Sequence, residues 1–356
     1  MSSTSRAWQS CARIVAVLAL ALPATLASCG VEGSSTQARF PLRGAWLKPR
    51  EGFPLDSEHG DAALRRMRGY GVTHVAVGQD VYLPRMAEPR LEWGRDDAAL
   101  RGVLRRIRAA GLKAFLLPRI ESPDFFRPPY PFRADIAFPD AATWERFHQQ
   151  VEGYCLHYGR LAQEEGVAIL GLGLELKQSA KTHPDRWRKI AAATRGVFRG
   201  ALVYSANWWD EWEDITFWDA VDYVGVGAYF ELKGDPPART VAEAVALWAP
   251  IRARLEAAAE KAGRPILFTE IGYTGYADTL ERPWEWAGKQ DKNAPIDHAR
   301  QALAYEALFA AWGERPRFAG LFVWGFHTDR QWVQPWEYAF EDRPAGEVLR
   351  RAYRGR

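Results

Sequence analysis

Eight short apolar runs, each followed by a stretch that reads as a helix or a helical turn, recur along this chain. The strand-like runs are 42–47, 72–77, 112–117, 167–175, 201–206, 221–228, 265–270 and 318–324. The helical stretches between and after them are 61–69, 96–110, 140–165, 184–195, 215–220, 241–262, 297–312 and 345–353. Several of these stretches end at a glycine, among them Gly111 and Gly263, and one has Pro184 in its first turn; both are helix-boundary signals. Strict alternation of strand and helix predicts a parallel sheet with helices outside it. Eight βα units in roughly 320 residues predict a single (β/α)8 TIM barrel. A doubly wound open sheet would need fewer strands, and no glycine-rich dinucleotide loop follows the first one. Gly225-Val226-Gly227 lies inside a strand-like run before an aromatic residue, not at a helix start, so it makes no phosphate site.

In such a barrel the strand ends converge on one face, and that is where chemistry is delivered. The run Pro265 to Phe268 stops in Thr269-Glu270, then Gly272 and Tyr273. The fourth run stops in Glu175. A single Glu at such a place is adequately explained as a strand cap or an arginine partner. Two carboxylates on two buried strands meet the minimum requirement for cutting a glycosidic bond. One protonates the leaving oxygen, which asks for a pKa raised toward ~6; the other acts ionised. A retaining mechanism wants the two about 5–5.5 Å apart.

The aromatic content points the same way. The 356 residues include 16 Trp, several of them beside polar residues. Flat apolar rings suit the C–H face of a pyranose, with amides and charges fixing its hydroxyls. At the strand ends, Trp46 and Lys48 (first), Gln79 and Asp80 (second), Arg119 and Glu121 (third), Asn207, Trp208 and Trp209 (fifth), Tyr229 (sixth) and Trp324 (eighth) are candidate cleft residues. Tyr273 is placed near Glu270. Trp284 and Trp286 lie in the long loop 274–295, read as a cleft wall. His183 and His327 also fall near strand ends. For Trp324 and Tyr273 the competing assignment is plain core packing.

Five segments in order resemble glycoside hydrolase family 113, an endo-β-mannanase-like group of retaining barrel glycosidases. They are Gly171-Leu172-Gly173-Leu174-Glu175-Leu176, Tyr204-Ser205-Ala206-Asn207-Trp208, Val224-Gly225-Val226-Gly227-Ala228-Tyr229-Phe230, Phe268-Thr269-Glu270-Ile271-Gly272-Tyr273 and Gly320-Leu321-Phe322-Val323-Trp324. The resemblance runs from about 43 to 324. It implies Glu175 as acid/base and Glu270 as nucleophile, Trp324 as a platform under the sugar, and β-1,4-mannan as the first substrate to expect. The chain departs from the wider clan in having Leu174, not Asn, before the acid/base. That Asn grips the hydroxyl next to the anomeric carbon, and Asn207 is the candidate to replace it. The departure keeps two other readings open: a non-catalytic carbohydrate-binding protein on a degenerate barrel, and a retaining hydrolase of other specificity such as a β-glucanase. A carboxylate locked by an arginine such as Arg119 would favour binding over catalysis.

Charge excludes other classes. The formal net charge is +3, and removing Arg6 and Arg13 with the leader described next leaves +1. That argues for no nucleic acid and no anionic surface. Residues 1–28 read as a leader: Arg6 and Arg13, then the nine-residue apolar run 14–22, which as a helix spans roughly 14 Å and cannot cross a bilayer core. Leu26-Ala27-Ser28-Cys29 resembles the lipobox of bacterial lipoproteins, with Cys29 as the lipid-carrying residue, 29–38 a flexible tether and 39–356 the barrel. The expectation is an envelope lipoprotein that meets the membrane only through its lipid. Of the three cysteines, Cys11 leaves with the leader and Cys155 is left without a disulfide partner. No His/Cys cluster has metal-ligand spacing, so neither metal nor cofactor is expected. The partner is a polysaccharide or oligosaccharide, and the protein is expected to act as a monomer.

Overall fold

The computed structural model describes residues 40–354, apart from 53, 286–292 and 332. Cys11, Cys29, the leader, the tether and Trp286 therefore lie outside the described residues. Eight parallel strands close in the order β1 to β8, with β8 hydrogen-bonded back to β1. They are β1 (Leu42–Lys48), β2 (His74–Tyr82), β3 (Lys113–Glu121), β4 (Ile169–Leu174), β5 (Ala201–Ala206), β6 (Tyr223–Gly227), β7 (Ile266–Ile271) and β8 (Phe318–His327). The helices are α1 (Glu58–Tyr70), α2 (Asp97–Ala109), α3 (Ala141–Glu165), α4 (Lys177–Thr182), α5 (Pro184–Arg195), α6 (Val241–Ala262), α7 (His298–Trp312) and α8 (Pro344–Arg354). This is a single (β/α)8 TIM barrel. Among the described residues no helix is long and apolar enough to cross a membrane.

Local sequence explains the boundaries. Ser57 caps α1 through its side chain, and Gly71 ends it at φ 86°. Thr240 and Glu243 form a reciprocal capping box on α6, which stops at Gly263 with φ 65°. The unit between β5 and β6 has only a 3-10 turn, Trp218–Ala220, where a short helix or turn was expected. The fourth unit instead carries two helices, α4 and α5.

The third strand runs past the expected 112–117, through Pro118 to Glu121. Beyond Leu116 the strand is paired only with β2, not with β4. The missing N–H of Pro118 thus interrupts no ladder on its open side, as for an edge strand.

Two layers of core hold the barrel. The interior is filled by Leu42, Trp46, Ala76, Phe115, Leu117, Ile169, Leu174, Val203, Leu267, Ala319 and Phe322. The larger layer lies between strands and helices. Gly44 belongs to the interior because Phe322 fills the volume beside it: a Cβ there would lie 2.3 Å from that ring. Cys155 is buried in the outer layer, its thiol donating to the Leu172 carbonyl, and burial pushes its pKa up.

Candidate active site

Glu175 stands at a break in regular structure. The pairing of β4 with β5 slips between Gly171 and Gly173, so one extra residue enters β4 and Leu174 turns into the barrel. Glu175 follows with φ 52°, a left-handed conformation that costs a non-glycine residue energy. Its backbone N–H donates to the Ser205 carbonyl at 2.8 Å. Its two oxygens have different partners: Oε1 accepts from Asn207 Nδ2 and Oε2 from Arg133 Nη1, each at 3.2 Å. Burial pushes its pKa up; Arg133 opposes that and Glu121 adds to it.

Glu270 lies on β7, opposite Gly227 of β6. The Tyr229 hydroxyl donates to its Oε1. Burial, with a further push from the charge of Glu175, raises its pKa to about 7, against Tyr229, Lys48 and Arg133, which favour the charged form. The charge of Glu175 thus reaches Glu270, as expected when both stand at strand ends of low dielectric.

Around them, Trp324 is half-buried with Lys48 Nζ 4.3 Å from its ring centroid and Trp46 tilted against it at 5.3 Å. Burial lowers the Lys48 pKa to about 8. Trp46 is floor rather than wall: it is buried inside the barrel, and its Nε1 donates to the Thr269 carbonyl. Trp208 meets Tyr229 edge-on at 5.6 Å. Tyr229 also meets Tyr338 at 6.0 Å, and Tyr338 donates to the Pro283 carbonyl. That bond ties the 274–295 loop to the rim, where Trp284 donates to Glu231. Arg119 is held by Asp80 at 2.7 Å, with Glu121 3.6 Å away.

Some candidates turn elsewhere. Gln79 is buried away from the cleft, on the side of β2 that faces Tyr158 of α3. Tyr273 is also on the outer side, edge-on to Tyr305 of α7. For Gln79 this follows from the two-residue period of a strand, which sends alternate side chains to opposite faces; Tyr273 lies two residues past the end of β7. His183 sits against Trp144 and His148 of α3, and His327 faces Glu337 at 3.5 Å. Asn207 is already engaged: its amide serves Glu175, and its Oδ1 accepts from the Trp209 N–H.

Two site residues, Arg133 and Glu211, carried no sequence signal. Arg133, buried in the loop after β3, divides its guanidinium among Ile120 O, Glu121 and Glu175. Glu211 is 1% exposed and accepts from the Tyr204 hydroxyl at 2.5 Å and the Asn207 N–H at 2.6 Å. Tyr204 accepts in turn from the Leu176 N–H. This network braces the backbone at Leu176, just after Glu175, and at Asn207.

An arginine does contact Glu175, but it is Arg133, not Arg119. Its shorter bond, 2.6 Å, goes to Glu121, so Glu175 is steadied without being neutralised by a dedicated pair.

A closed barrel with two half-buried carboxyls, a lysine-backed Trp and further aromatics at its carboxyl-terminal mouth defines a barrel glycoside hydrolase. The sequence matches the Glycoside Hydrolase Family 113 profile over residues 45–342, and the chain belongs to that family. The non-catalytic reading is thereby set aside. Among solved structures, the barrel resembles a GH113 β-1,4-mannanase (TM-score 0.75, 21% identity, covering 89% of this chain and 99% of that one). It also resembles a GH113 β-mannanase from Alicyclobacillus acidocaldarius (0.74, 22%, 90% and 99%). A more distant likeness is to an endo-β-1,4-mannanase from Thermotoga petrophila (0.55, 12%, 90% and 77%). At these identities the likeness speaks for the fold. No curated protein sequence matches this chain.

Proposed function

We propose that the protein is a retaining β-mannanase in which Glu270 attacks the anomeric carbon and Glu175 protonates the leaving oxygen, then activates the water that releases the sugar. The observation that supports this is the pair of half-buried carboxyls at the ends of β4 and β7, with different partners. Tyr229 donates to Glu270 while Lys48 lies nearby, and both favour a carboxylate there. Glu175 sits where burial keeps its proton on longer. Both carboxyls are raised, so they share protons as a pair, and the pH profile belongs to the pair. Trp324, backed by Lys48, serves as the platform for the sugar being cleaved.

Mannan as the substrate is supported by the family and by the mannanase names of the structural neighbours. Hydrolysis should be assayed on mannan, glucomannan and β-glucan with the chain starting after Cys29, beside Glu175→Gln and Glu270→Gln. Loss of at least 1,000-fold is expected in each variant. Undiminished activity in either would sink its role, and a preference for glucan would replace mannan.

The leader reading is proposed on sequence alone. Cys29 carries the lipid and holds the enzyme at the cell envelope, so Cys29→Ser should release it from membranes. Retention of that variant would refute the anchor.

A further inference from the structure

Each oxygen of Glu175 leads, through one polar residue, to an exposed aromatic ring. From Oε2 the path runs through Arg133, whose guanidinium carbon lies 4.5 Å from the centroid of Phe132. From Oε1 it runs through Asn207, which accepts from the backbone N–H of Trp209. Phe132 is 41% exposed and Trp209 48%. Each ring has a cation against it: Arg133 for Phe132, and Lys177 Nζ, 4.3 Å from the centroid, for Trp209. Those cations are themselves fixed, Arg133 by Glu121 and Lys177 by Asp210 at 3.3 Å. The rings are therefore held in place before anything binds, and little side-chain freedom remains to be lost on stacking. Large rings left this exposed suit the C–H face of a pyranose.

We infer that Phe132 and Trp209 are the stacking platforms for the leaving segment of the glycan, flanking the sugars released when Glu175 gives up its proton. This rests on the acid/base role proposed for Glu175, because the acid sits beside the leaving oxygen. The ligand class is a β-linked hexose oligosaccharide extending from the cleavage point toward its reducing end. The two rings come from different loops, after β3 and after β5, so they bracket Glu175 rather than forming one flat patch. Neither β8, which carries Trp324, nor the segment after β6, which carries Tyr229, supplies either ring.

The test is a comparison of substrates that fill or leave empty this side of the cleft. The double variant Phe132→Ala/Trp209→Ala is assayed on mannohexaose and cellohexaose. It is also assayed on a 2,4-dinitrophenyl β-mannobioside, whose leaving group departs with little acid assistance and does not extend past the first leaving position. Truncating a buried-on-binding ring costs about tenfold, so kcat/KM on the hexaose that is cleaved should fall about 100-fold. That fall should exceed the fall on the aryl substrate by at least tenfold, and Phe132→Tyr/Trp209→Phe should restore most of it. An equal fall on both substrates, or a fall below twofold on the hexaose, overturns the inference. A titration separates this from the assigned catalytic roles. Glu270→Gln should bind the hexaose more weakly once the two rings are removed. If the wild type cleaves no glycan while that ring-dependent binding holds, the platforms stand and the hydrolytic assignment fails. If the wild type cleaves the hexaose and the rings do not matter, the platforms fail and the assignment stands.

Discussion

The Tyr229 phenol donates a hydrogen bond to Oε1 of Glu270 across the β6–β7 seam. Ala228, one residue earlier, donates its N–H to the Glu270 carbonyl at 2.6 Å, so the phenol's position is set by strand pairing rather than by a flexible loop. Burial raises the Tyr229 pKa well above the ordinary range, so the phenol stays protonated and remains a donor. It favours the charged form of a carboxyl that burial otherwise lifts to about 7.

Tyr229→Phe should therefore raise the Glu270 pKa further. A nucleophile must be ionised, so the acid limb of kcat/KM should move to higher pH by about one unit, and kcat/KM at pH 7 should fall by about 10- to 100-fold. The measurement is a pH–rate profile of the two proteins on one substrate. An acid limb that stays where it was would mean that the phenol does not hold the charge on Glu270.

Arg133 acts on the other carboxyl. Its guanidinium opposes the upward push of burial on Glu175. Arg133→Met should let that pKa rise, and since Glu175 must be protonated at the first step, the basic limb of kcat/KM should move up. The maximum rate should fall by about tenfold, because one oxygen of Glu175 loses a charge-assisted bond that fixes its orientation. A basic limb displaced downward would contradict this electrostatic role.

The strand-helix alternation and the two glutamates were legible because each rests on identity and order along the chain. Side-chain direction was not. Parallel strands buried on both faces carry no polar–apolar alternation, so nothing in the sequence marks Gln79 and Tyr273 as outward-facing. The slip at Gly171 and Gly173 is equally silent, yet it decides that Leu174 enters the barrel and Glu175 the cleft. Leu174 is thus an interior core residue, and the amide that reaches Glu175 comes from Asn207, just past the end of β5. Arg133 and Glu211 sit in irregular segments where no period exists to single them out. The proline-rich run before Arg133 and the acidic run around Glu211 both read as ordinary loop.

Closure of the barrel should be sensitive to one added methyl group. The Gly44 carbonyl accepts from the Tyr353 hydroxyl, and Phe322 occupies the space where its Cβ would go. Gly44→Ala should destabilise by about 1–3 kcal/mol through overpacking, seen as a melting temperature lower by several degrees. A paired Phe322→Leu should recover part of the loss by vacating that volume. Absence of any coupling between the two substitutions would show that the strain is relieved elsewhere.

Glu211 gives the stability a pH dependence of definite sign. Burial raises its pKa from the usual 4.5 to about 8, with Glu175 adding to the rise and Tyr204, the Asn207 N–H and Lys177 opposing it. The native state therefore holds a proton that the unfolded chain gives up at lower pH. Its contribution is fully present below about 4.5, declines as pH rises through the window between 4.5 and 8, and is lost above it, a change of a few kcal/mol. Glu211→Gln keeps a neutral side chain of the same shape. At pH 5 the variant should melt close to the wild type, with a small deficit from the altered bonds to Tyr204 and Asn207. By pH 8.5 the deficit should shrink or reverse, because only the wild type then carries a buried charge. Glu270 titrates in the same window but is present in both proteins, so it drops out of the difference between the two melting curves. Parallel curves from pH 5 to 8.5 would place the Glu211 ionisation outside that window and would count against its burial as the governing cause.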